Sequence, residues 1–351
     1  MIEKKFRNIN NLERFVMYIP SFSDIELPYL LQAVASAVSN QNTPTQREKQ
    51  FLEVLNAMHN GSINQVELLA NTTFTPSQIA QVITDPYQCI WLIQMGIVMA
   101  MVEGKSTIKQ LPKQIKILRS LAQVLSVKEP GLRILGEVAR SHKLLAQLDV
   151  SWHIMRKLVR DAYLEEGIVG VKNLIQPTFF GTGGKNPYLA SKFRKLGLLP
   201  KDTLGYAFWE HFTQRNISFP GEWGAIPERF VYHDFGHILS GYDTDPIGEI
   251  IESAFQAGHT CQDGFMFFLF AILHHHWGIK ITPVIEPFEG LFDIPLVMHA
   301  LQRGAACKVD ISDHWNFWEV VELPLEEVRD LYGIPPLCPA SLKVPTTAGI
   351  I

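Results

Sequence analysis

At 351 residues and a net charge of -4, with basic and acidic side chains interspersed, the chain lacks the basic stripe of a nucleic-acid binder, which excludes that partner class. Its charged share is only 19% against an apolar share of 47%, which fits an extensive core or an apolar cavity or surface kept for a ligand or membrane. Cys89, Cys261, Cys307 and Cys338 form no Cys-x-x-Cys pair, so neither a disulfide framework nor a thiolate zinc site is expected, and reduced thiols are the default.

The opening stretch, MIEKKFRNINNLERF, is charged throughout and has no apolar run of the kind a secretory signal needs. Helical signals dominate beyond it and strand signals are sparse, so the chain reads as all-α: a multi-helix bundle preceded by an N-terminal helical domain. The periodicity predicts helices over 24–39, 86–103, 111–126, 130–147 and 151–166. Thr43-Pro44-Thr45-Gln46 and Thr75-Pro76-Ser77-Gln78 each read as an N-cap, a proline at the first helical position and a glutamine completing a capping box. Phe51, Leu52, Val54, Leu55 and Met58 follow the first at helical spacing. Two apolar runs, 89–102 and 265–273, fall short of the ~18–20 residues of a spanning helix and read as buried helices or walls of a lipid cavity. Gly167, Gly170, Pro177 and the stretch from Phe180 to Pro187 predict a loop and a domain boundary. The domains are then 1–170, with no assigned role, 175–335, and an irregular tail over 336–351.

Chemistry concentrates in RFVYHDFGHILSGYDTDPIGEIIES, residues 229 to 253. His233 and His237 are four apart and share one helix face, with Cβ atoms about 5–6 Å apart, close enough to converge on one ion. Asp234 is offset by about 100° on the same turn and can add a carboxylate. Gly241 to Asp245 breaks the helix, Asp245 and Pro246 read as cap and first position of the next, and Glu249 lies one turn inside it. A helix–turn–helix can therefore bring Glu249 back against the histidines. Two nitrogens and two carboxylates suit a divalent metal, zinc first, with iron, manganese or magnesium open. Asp243 and Asp245 read as turn and cap residues. His274, His275 and His276 are consecutive, diverge by about 100° per residue, and read as a helix end.

His233-Asp234-x-x-His237, eleven residues, then Glu249 resembles the signature of the coenzyme Q (ubiquinone) biosynthesis protein four family. Upstream, Leu199-Pro200-x-x-Thr203-Leu204-Gly205-Tyr206 is similar to that family's "LP-x-x-T-L-G" segment. Downstream, Trp318-Glu319 and Leu323-Pro324-Leu325-Glu326-Glu327-Val328-Arg329 resemble its terminal helix, so the likeness covers about 175–335. Between Glu249 and Trp318 the chain departs from the family's pattern.

The resemblance implies a helical fold holding a divalent metal through His233, Asp234, His237 and Glu249. It implies a channel for a polyprenyl lipid or prenylated quinone precursor, peripheral contact with a membrane, and other quinone-biosynthesis proteins as partners. The activity it implies is removal of the ring carboxylate of a prenylated hydroxybenzoate, with oxidation at that carbon, or else presentation of the lipid as a non-catalytic scaffold. Trp209, Phe212, Phe230, Phe235, Phe265 and Phe268 are candidates to line the lipid groove. A homodimer and a cytoplasmic, membrane-peripheral location complete the expectations. Two other enzyme readings use the same residues. An HD-type phosphohydrolase would join His211 and a distant Asp293 or Asp310 to His233-Asp234, leaving His237 and Glu249 unused. A zinc peptidase would need a glutamate base where Asp234 stands.

Overall fold

The computed structural model describes residues 19–38, 44–61, 74–261, 263–281, 286–312 and 314–337, and among them fourteen α-helices and no strand. In chain order these are α1 (Leu27–Ser36), α2 (Gln46–Met58), α3 (Pro76–Val82), α4 (Pro86–Met101), α5 (Leu111–Val124), α6 (Gly131–Ala139) and α7 (Lys143–Phe180). There follow α8 (Pro187–Lys195), α9 (Leu204–Gln214), α10 (Tyr232–Ser240), α11 (Pro246–His259), α12 (Gly264–His275), α13 (Ile294–Ala305) and α14 (Leu325–Tyr332). The all-α reading stands.

Helices α4 and α12 contain the two long apolar runs and are apolar on every side, which is stable only inside a core. Trp91, Leu92, Ile93 and Met95 of α4 and Phe268, Leu269, Ala271 and Leu273 of α12 are all 0% exposed. Among the described residues no helix is long and apolar enough to cross a membrane. One contiguous apolar core runs from Phe22 to Ile334 and draws on helices of both halves. Arg47 of α2 adds a polar tie between them, donating to the Phe292 carbonyl at 2.7 Å and the Val102 carbonyl at 3.2 Å.

Several boundaries differ from the sequence reading. The cap of α2 is Thr45: its hydroxyl accepts the Glu48 N–H at 3.1 Å, and the Glu48 carboxylate accepts the Thr45 N–H at 2.7 Å. A charged acceptor at the third position outcompetes the neutral Gln46 two residues earlier, and Thr43 lies outside the described residues. The Thr75–Gln78 box caps α3 as expected. The helix expected over 130–147 divides at Ser141, which takes a left-handed conformation (φ 62°) without a glycine to signal it. The loop expected from Gly167 is a helical fold-back. Gly167 adopts φ 64°, ψ -146°, and the chain then resumes helix to Phe180. Leu174 packs on Leu158 and Ala162, and a Cβ on Gly170 would collide with the Ala162 carbonyl, so the 168–180 run lies antiparallel on 143–166. The boundary expected near 170–175 thus falls inside α7. One residue with free φ reverses the chain, and the apolar contacts on either side keep both arms helical. The helix ends at Gly181 (φ 59°), where the glycine-rich stretch begins.

The carboxyl-terminal helices frame one region. Thr203, the cap of α9, forms an antiparallel bridge with Pro324, and Leu325 N–H donates to the Asp202 carbonyl at 2.8 Å. The two flanking segments that carry the resemblance are therefore neighbours. Gly205 is required there, because a Cβ would press on the Val321 carbonyl. Helices α11 and α13 cross closely at Gly258 and Gly304, where a Cβ on either would meet the other's backbone.

Candidate metal centre

Gly241 (φ 78°) ends α10, and its N–H donates to the His237 carbonyl at 2.8 Å. Asp245 caps α11 by accepting the Gly248 N–H at 2.6 Å, with Pro246 at the first helical position. The last carbonyls of α10 are held by cations. Arg329 of α14 donates to those of Ile238 (2.8 Å) and Leu239 (2.9 Å), and Arg303 of α13 to that of Ser240 (3.1 Å). The histidine helix is thereby clamped at its carboxyl end.

The reversal lays Glu249 against both imidazoles. Its Oε2 is 3.3 Å from His233 Nε2 and its Oε1 is 3.4 Å from His237 Nε2. His237 Nδ1 stands 3.2 Å from the Tyr242 carbonyl. A carbonyl only accepts, so Nδ1 carries a proton and Nε2 is the nitrogen left for an ion. His233 Nδ1 lies 3.0 Å from Glu252 Oε2 and 3.1 Å from Gln256 Oε1.

Glu252 was not singled out in the sequence. It sits one turn beyond Glu249 on the same face of α11, and that three-residue spacing was the available signal. Its side chain is 0% exposed, and neither of its oxygens has an aligned hydrogen-bond donor among the described residues. Gly236 makes room for it, since a Cβ there would collide with Glu252 Oε1. One ligand atom each from His233, His237 and Glu252 lie within 4.8 Å of one another. Asp234 turns aside: its Oδ1 is 3.7 Å from His211 Nε2 of α9. The 100° offset that allowed Asp234 to join the histidines carries it toward the neighbouring helix instead.

Burial opposes a charged ring at His233 and at His237, but Glu252 and Glu249 outweigh it and hold both above the usual imidazole range, His233 by more. Burial likewise disfavours the Glu249 carboxylate, yet its bonds to the two rings keep it well below the usual carboxylate range. The neighbouring carboxyl groups thus favour the protonated form of both rings. One divalent cation in place of two protons leaves the balance of charge unchanged.

Of the residues read as lipid-lining, Phe212, Phe235 and Phe268 are 0% exposed and Phe265 is 2% exposed. Trp209 packs over Gly197, and Phe230 joins the Leu158–Leu174 cluster. None of the six lines the main cleft, which has a volume of about 760 Å³ and lies between the folded-back arm of α7 and the 225–232 and 314–318 segments. Its lining includes Leu174, Tyr232, Trp315, Trp318, Lys185 and Arg229, the last paired with Glu165. Tyr232 immediately precedes His233. The distant aspartates of the phosphohydrolase reading have other roles: Asp293 caps α13, and Asp310 accepts the Cys261 and Ser312 N–H groups.

Comparison with known proteins returns no match: no family model, no curated protein and no solved structure is significantly similar to this chain.

Proposed function

We propose that this protein binds one divalent cation, zinc in the first instance, through His233, His237, Glu249 and Glu252. The reading rests on one observation above all: a single carboxylate, Glu249, faces the Nε2 atoms of both histidines at 3.3 and 3.4 Å. The donor set fits such an ion, because His237 Nε2 and both Glu252 oxygens are buried without an aligned hydrogen-bond partner among the described residues. Asp234 acts through His211 at the edge of the site.

The cation would serve as a Lewis acid toward a carboxylate, phenolate or phosphate of the substrate. The protein's own residues then orient that group. Tyr232 joins the cleft wall to the histidine helix, and Lys185 lines the cleft as a cation for an anionic head, whereas Arg229 is held by Glu165 at 3.0 Å. Trp315 and Trp318 offer apolar faces to a ring or prenyl chain. With the likeness to coenzyme Q biosynthesis protein four, this supports a prenylated hydroxybenzoate as the substrate class and decarboxylation of its ring as the reaction.

Elemental analysis of the purified protein tests the centre. About one ion per chain is expected, falling to near zero in a His233→Ala/His237→Ala variant, and equal metal content in both would end the reading. Incubating the loaded protein with a prenylated hydroxybenzoate tests the reaction. Carbon dioxide release supports catalysis, and bound lipid without turnover supports the scaffold role instead.

A further inference from the structure

The 314–318 wall of the cleft begins with a histidine in a left-handed backbone state. His314 has φ 70°, a region that residues with a Cβ seldom occupy and that the surroundings must hold. The segment is fixed on both sides of it. Asp310 accepts the Ser312 N–H at 3.0 Å, the Trp315 N–H donates to the Ser312 carbonyl at 3.0 Å, and Trp315 Nε1 donates to the Tyr332 hydroxyl at 2.9 Å. His314 lines the cleft, and its side chain is 48% exposed. From the first arm of α7 the buried Asp161 sets its Oδ2 3.0 Å from His314 Nε2, while its Oδ1 accepts from Arg160 Nε at 2.9 Å. Burial disfavours the Asp161 carboxylate, but those two bonds keep it below the usual carboxylate range. A carboxylate only accepts, so Nε2 carries a proton and Nδ1 is the atom whose protonation can change. Ser312 gives its hydroxyl proton to Asp310, so the pair does not activate a serine. An imidazole on a cleft wall, oriented by a buried carboxylate, has the parts of a general acid–base pair.

We propose that His314 is the proton donor of the reaction in the cleft, with Asp161 as its positioning partner. The inference rests on the reading of the cleft as the place where the ring carboxylate is removed. As the bond from the ring carbon to the carboxylate breaks, carbon dioxide leaves and the electron pair stays on the ring. That pair takes the proton from Nδ1 of the His314 imidazolium, so hydrogen replaces the carboxylate and the imidazole is left neutral. Water then returns a proton to the half-exposed ring. No oxidant takes part. Asp161 keeps Nε2 protonated throughout and favours the imidazolium before transfer.

Turnover of a geranylated 4-hydroxybenzoate by the zinc-loaded full chain tests the inference. In heavy water the natural chain should place one deuterium at the vacated ring carbon. His314→Gly suits the left-handed backbone and leaves a gap the size of an imidazole. It should lower kcat by ~100-fold or more, and added imidazole should restore at least ~10-fold of that loss. Metal content, and substrate binding read from tryptophan fluorescence, should not change. Asp161→Asn keeps the shape without the charge and should cost ~10-fold in kcat. A natural rate in His314→Gly overturns the inference and leaves the decarboxylation reading standing. A loss that imidazole does not restore also overturns it and makes His314 structural. So does a product bearing oxygen rather than hydrogen at the vacated carbon. No turnover by the natural chain removes the underlying reading, and the inference with it. If His314→Gly loses its helical circular dichroism, His314→Asn, which also tolerates the left-handed region, repeats the comparison.

Discussion

His233 and His237 stand four residues apart on α10, whereas His274, His275 and His276 follow one another at the end of α12. The first pair turns two rings onto one carboxylate. In the triplet, His274 and His276 send their rings to separate backbone partners, while His275 Nδ1 is buried without a hydrogen-bond partner among the described residues. His274 Nδ1 accepts the Ile281 N–H at 3.2 Å, and His276 accepts the Phe292 N–H at 3.3 Å through Nδ1 while its Nε2 donates to the Val102 carbonyl at 3.0 Å. Charge follows partner. Burial, with His274 and His233 adding to it, pulls His275 down to about 4, and burial also lowers His276. Carboxylates hold the pair up. Buried imidazole thus faces carboxylates, and on the proposed reading an ion, in one place and backbone groups in the other, and what separates them is angular spacing and the kind of acceptor brought opposite.

That contrast can be broken experimentally. The largest effect should come from Glu249→Gln, which removes the charge shared by both rings. We expect metal affinity to fall by about 1,000-fold, or ~4 kcal/mol, in a competition assay with a chromogenic chelator. His276→Leu should leave affinity unchanged in that assay, and a comparable loss there would erase the distinction. Second is pH. The ion must displace protons held by rings whose affinity for them is raised, so binding should strengthen with pH, by up to ~100-fold per unit for two protons, until the folded-state values of His233 and His237 are passed. Calorimetry in buffers of different ionisation heat would count the protons released, and a count near zero would contradict the imidazolium–carboxylate arrangement.

The triplet should instead set stability. His276→Leu strands the Phe292 N–H and leaves the Val102 carbonyl to Arg47 alone, a loss of about 1–3 kcal/mol by urea unfolding. Because the folded value of His275 is about 4 against an ordinary 6.5, the unfolded chain takes up the proton first, and stability should decline as pH falls from 6.5 through about 4. An unfolding midpoint flat across that window would contradict a neutral His275. The smallest effect is expected at Asp234→Asn, where only the His211 contact changes: about 10-fold in metal affinity, at the low end for groups that orient ligands. A loss as large as that of Glu249→Gln would return Asp234 to the inner ligand set.

Much of the site was readable because it is local. Turn chemistry at Gly241, Asp245 and Pro246 places Glu249 over the histidines by short-range geometry alone. Glu252 was harder to see: glutamates three apart on a helix usually face water, and only Gly236 on the opposing helix makes room for a fully buried carboxylate. The aromatics failed as cavity markers for a related reason. A phenylalanine near a site and one deep in the core have the same local signature, and Phe212, Phe235 and Phe268 went to the core.

What the sequence determined by itself is the helical character, most caps, and the four-residue spacing that puts two imidazoles on one face, since each is set within a turn or two by backbone hydrogen bonding and sterics. Tertiary structure decided the fold-back of α7 at Gly167, the turning of Asp234 toward His211, and the burial of Glu252 beside His233. Those outcomes depend on which helix packs against which, a balance of many weak contacts between residues far apart in the chain that no local pattern encodes.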